Sequence, residues 1–139
     1  MTVGLRAPDE RPWCLDLADS EVTVLRSGVD GWVLTLAVAA LRPTRARLGA
    51  GDETLLWPGV RLRGLAPDAA PAGALAPGRL QVLMLEGPAA AGTRLPWIPR
   101  LDGPWRLRLG VGGAVVDLAA LTLVIESDAG TDPRPSWAC

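Results

Sequence analysis

The chain has no His, Lys, Tyr, Phe or Asn, so all 14 basic groups are Arg and all six aromatic residues are Trp. Without imidazole or ammonium side chains, no side chain has an unperturbed pKa between about 5 and 8, where a general acid or base works best. Ser, Thr and Cys have no nitrogen base to activate them, which excludes a hydrolase triad. Zinc, copper and haem iron lose their usual imidazole ligand. An enzyme built on this alphabet would need strongly shifted carboxylates or a thiolate. Much of the bias has a simple origin, because Lys, Asn, Phe and Tyr have A/T-rich codons while Ala, Gly, Pro and Arg have G/C-rich ones. A GC-rich genome accounts for it except for His, whose absence leaves a restricted alphabet open.

Other absences narrow the field further. The formal net charge is −1 and the pI about 5.4, without the basic excess that phosphate recognition needs, so no nucleic-acid partner is expected. Near-neutral charge also favours association. Met1–Pro12 carries both charge signs and two prolines where a secretory signal would have an apolar run. The longest strongly hydrophobic stretch, Gly31–Leu41, falls short of the roughly 20 residues that span a bilayer as a helix. A soluble, cytoplasmic protein with no membrane partner is the expectation. Cys14 and Cys139 form neither a CxxC pair nor a metal cluster. In a reducing compartment they stay thiols, with Cys14 a small buried hydrophobe and Cys139 exposed.

What is present reads as an all-β protein: an antiparallel β-sandwich or flattened β-barrel of about seven strands with little helix. Expected strands are Trp13–Leu17, Glu21–Arg26, Trp32–Leu41, Leu55–Leu65, Arg79–Glu86, Trp105–Leu109 and Ala114–Glu126. In Trp32–Leu41, Trp32, Leu34, Leu36 and Val38 share one face and small apolar residues the other, as in a strand covered on both sides. Arg61, Arg63, Arg106 and Arg108 alternate with apolar residues and mark an outer wall. Gly28–Ala37 aligns without gaps on Gly110–Ala119, each a Gly-rich turn leading into a strand. Glu21–Arg26 should therefore form a hairpin with Trp32–Leu41, and Trp105–Leu109 with Ala114–Glu126. The domain is expected over 1–127, with a tail over 128–139. Ala66–Gly78 reads as a surface loop with little to pack, and Gly87–Pro104 as a second irregular stretch.

The candidate chemistry is sparse. Asp16, Asp19 and Glu21, Asp52–Glu53, and Glu126, Asp128 and Asp132 read as solvated turn and cap acids rather than a facing catalytic pair. Glu126–Asp132 lacks the EF-hand spacing, and Gly110–Gly113 lacks the phosphate-loop lysine. No catalytic residue, metal ligand or cofactor is expected. Arg42, Arg45 and Arg47 follow a strand and could grip an anion, although nearly equal numbers of acids favour a salt-bridged surface. Trp97, in Leu95-Pro-Trp-Ile-Pro99, is either a lid over an open end of the core or a rigid partner anchor. Trp137 in the tail is a second candidate contact. The leading expectation is a non-enzymatic binding or assembly module working through protein contacts or self-association. The alternative is a small-molecule carrier with Trp32, Trp57 and Trp105 around an apolar cavity, and the third a carboxylate hydrolase.

Overall fold

The computed structural model describes residues 5, 7–8, 12–44, 54–66, 74–90, 92–128 and 134–135. Among them the chain is all-β, without helix, in the order β1 (Trp13–Gly28), β2 (Gly31–Pro43), β3 (Leu55–Leu65), β4 (Gly78–Arg79), β5 (Gln81–Glu86), β6 (Arg94–Pro96), β7 (Arg100–Val111), β8 (Ala114–Ser127) and β9 (Arg134–Pro135). Every pairing is antiparallel. No helix among the described residues is long and apolar enough to cross a membrane.

The sheet runs β4-β1-β2-β3-β8-β7-β5, with β6 added beside β1 and β9 beside β3. Its two ends belong to one short stretch of chain. Gly78–Arg79 pairs with β1, Gln81–Glu86 pairs with β7, and the Leu80 N–H between them donates to the Ser20 carbonyl (2.9 Å). The sheet therefore curls round toward closure as a flattened half-barrel.

Both expected hairpins are present. β7 and β8 meet at Gly112–Gly113, where φ is +58° and +91°, the pair of positive values that a tight right-twisting turn demands. In the first hairpin the turn falls at Val29–Asp30. The two turns are thus offset by one residue relative to the sequence similarity.

Period-two alternation fills the interior. Trp32, Leu34 and Leu36 point inward, then the inward face passes to Ala39 and Leu41 while Val38 is only half-buried. That switch accompanies a register shift in the β1–β2 pairing between Asp16 and Val24, since an irregular residue changes the face of all that follow. Two tryptophans occupy sites where a glycine gives room. Trp32 lies across its cross-strand partner Gly64, where an added Cβ would come within 2.1 Å of the ring. Trp105 covers Gly87 and Gly103 in the same manner. Each ring also satisfies its one donor: Trp32 Nε1 to the Ala119 carbonyl and Trp105 Nε1 to the Leu101 carbonyl, both at 3.0 Å. Trp57 packs against Trp97, ring centroids 5.5 Å apart.

Several expectations need correction. Trp13–Leu17 and Glu21–Arg26 are parts of one irregular strand, β1. Arg79–Glu86 is divided at Leu80, its two parts pairing with different strands. Leu75, placed in a loop with little to pack, is a core residue. The stretch Gly87–Pro104 contributes β6 and the start of β7, whose register shifts between Asp102 and Trp105. Within the expected tail, Arg134–Pro135 pairs with β3.

Candidate functional site

The most distinctive surface lies where β6 and the Trp97 segment meet β1. Leu15 and Leu17 point into the core, so Cys14 and Asp16 face the other way and would be wet on an isolated strand. They are only 6% and 5% exposed. A network of polar contacts surrounds them. Asp16 takes the Thr93 hydroxyl (2.8 Å) and the Ala18 N–H (3.2 Å), and lies 3.1 Å from Arg42 Nε and 3.6 Å from Arg94 Nε. Arg42 also bonds Asp19, which in turn accepts from Arg79 (2.8 Å). The Arg42 hydrogen bond holds the Asp19 carboxyl below its usual range, against the opposing effect of partial burial. Where the β1–β2 ladder breaks, the Ser20 hydroxyl stands in for backbone. It donates to the Asp16 carbonyl (2.9 Å) and accepts from the Ala40 N–H (3.0 Å).

Asp16 is therefore not the solvated acid expected from the sequence; it is the buried centre of an ion-pair cluster. Nothing in a run of Trp-Cys-Leu-Asp-Leu marks it as such except its position among apolar neighbours, a weak signal. Arg42 belongs to this cluster, while Arg45 and Arg47 lie outside the described residues, as do Trp137 and Cys139.

Beside the cluster opens a cleft of about 450 Å³, bounded by Pro12, Trp13, Cys14, Arg94, Trp97 and Ile98, with Ala89 and Thr44 at its margins. Trp97 is 6% exposed and packed on Trp57, and its backbone N–H donates to the Trp13 carbonyl (2.9 Å). Ile98 next to it is 47% exposed. Cys14 is a free thiol that donates to the Arg42 carbonyl (3.3 Å). Burial pushes its pKa up, partly offset by the Arg94 guanidinium, so it stands as a neutral thiol rather than a nucleophile.

Trp32, Trp57 and Trp105 do not come together around this cleft. Trp57 and Trp105 are fully buried in the core, and Trp32 borders a smaller hollow of about 260 Å³ at the β1–β2 turn. The tryptophans of the larger cleft are Trp13 and Trp97. Among the described residues no group of three or more acids or cysteines is placed to hold a metal ion. In comparisons with known proteins, no protein family, curated protein or solved structure matches the chain.

Proposed function

We propose that the protein is a non-enzymatic binding module that receives a small apolar ligand in the cleft beside Trp97. The observation that carries this is the concavity itself: its volume of about 450 Å³ lies within the roughly 300–1,000 Å³ of small-molecule sites, and an apolar wall with a few polar groups is their usual lining. The neutral, buried thiol and the lack of any imidazole or amine favour holding over reacting. Flat contact with a protein partner is the less favoured form of binding, because the exposed large apolar residues Val29, Leu83, Val115 and Leu121 are spread over the β1–β2 turn, β5 and β8. The free Cys14 fits a reducing compartment, and the cytoplasm is the location we assign.

Calorimetric titration with 1-decanol, indole and naphthalene tests the proposal. At least one is expected to bind with one-to-one stoichiometry, and Ala89→Leu, at an exposed position on the cleft margin, should weaken it about tenfold, ~1.4 kcal/mol. Absence of binding across the set, or binding indifferent to Ala89→Leu, overturns it.

A further inference from the structure

We infer that the ligand of this cleft is an amphiphilic carboxylate, an apolar chain or ring bearing one anionic head that Arg94 receives. The inference rests on the cleft being a ligand site and adds the chemistry of what fills it. Among the described residues that line the cleft, Arg94 is the one charged group, and no carboxylate lines it. A cation beside apolar side chains attracts an anion and repels a second cation, and dry surroundings strengthen the attraction.

Arg94 has ion-pairing capacity to spare. Its Nε is 3.6 Å from Asp16, longer than a good hydrogen bond, and its side chain is 42% exposed. Asp16 is engaged more closely by Arg42 at 3.1 Å. The cluster runs Arg94, Asp16, Arg42, Asp19, Arg79, and its Arg94 end reaches the cleft. A guanidinium carries five donors in a planar fork that matches a carboxylate. Asp16 draws the Arg94 guanidinium from behind, which lowers the ordering left for the ligand to impose. Trp13, Trp97 and Ile98 supply the apolar contact for the remainder of the molecule.

The test compares three probes on the whole protein by calorimetry at low salt: decanoate, 1-decanol and acetate. Decanoate is expected to bind about tenfold or more tightly than decanol, with acetate far weaker than either, since a charge-assisted hydrogen bond is added to the same chain. Arg94→Gln should remove the preference and Arg94→Lys should keep part of it. Should Arg94→Gln fail to fold, the salt dependence of the wild-type preference decides, because only a charged contact weakens as salt rises. Equal binding of decanoate and decanol overturns the inference while leaving the cleft as an apolar site. Acetate binding as tightly as decanoate also overturns it, in favour of a bare anion site. If no probe binds, the cleft reading fails together with it.

Discussion

The two sides of the sheet use the same ion pair in opposite surroundings. On the β1 side, Asp16 meets Arg42 with side chains 7% and 21% exposed; on the β7–β8 side, Asp117 meets Arg108 with 67% and 52% exposed. The first pair fastens β6 and the Trp97 segment to β1, through the same carboxylate that takes the Thr93 hydroxyl. The second decorates a hairpin already held by its turn and its ladder. Desolvated charges must stay paired, whereas exposed ones are screened by water and salt. The charge pairing is alike; the burial decides what it is worth.

The largest expected effect breaks the β1 side. Asp16→Ala removes the shared acceptor of Arg42, Arg94 and Thr93, and should cost about 3 kcal/mol, the low end for a broken buried pair because Arg42 retains some access to water. Urea unfolding measures it, and Asp16→Asn, which keeps the hydrogen-bond acceptor, should lose less. Gly87→Ala comes next and probes the β7 side through packing rather than charge. Its Cβ would fall 2.0 Å from the Trp105 ring, and overpacking of this kind costs about 1–3 kcal/mol; a loss as large as that of Asp16→Ala would erase the contrast between the two sides.

Acid sharpens the comparison further. The folded pKa of Asp19 is depressed below the ordinary carboxylate value by the Arg42 hydrogen bond. The unfolded chain therefore binds the proton first as pH falls. The stability that Asp19 contributes is full above that value and is lost as pH drops through the folded pKa. In urea unfolding at graded pH, Asp19→Asn should flatten this part of the acid limb, and an unchanged limb would remove Asp19 from it. Cys14 shows burial directly: iodoacetamide should label it far more slowly in the native protein than in urea, with Cys139→Ser in place so that one thiol reports. The smallest effect belongs to Asp117→Ala, for which no resolvable change of the urea midpoint is expected, since both Asp117 and its partner Arg108 are exposed.

Local pattern explains which parts of this protein were legible beforehand. The two hairpins follow from glycine-rich turns between alternating apolar residues, and the outer wall from arginines at every second position of β3 and β7, where Arg63, Arg106 and Arg108 are exposed. Leu75, β6 and Asp16 were not legible, because each depends on a partner distant in sequence. Asp16 meets Thr93 and Arg94 across more than seventy residues, and an aspartate in such a run looks the same whether water or arginine faces it. For Trp97 the residues allowed a lid or an anchor, and in the structure the ring is buried and packs on Trp57. The cleft beside it is formed by three separated segments, so no stretch of chain announces it.

The sequence by itself determined the all-β class, the hairpins and the poverty of catalytic groups, since strand period, turn chemistry and side-chain inventory are local properties. Tertiary structure decided that one short stretch joins both ends of the sheet, that an aspartate is buried among arginines, and that a cleft with Arg94 in its wall opens beside Trp97. Burial and field are set by what arrives from elsewhere in the chain, and only the folded arrangement specifies that.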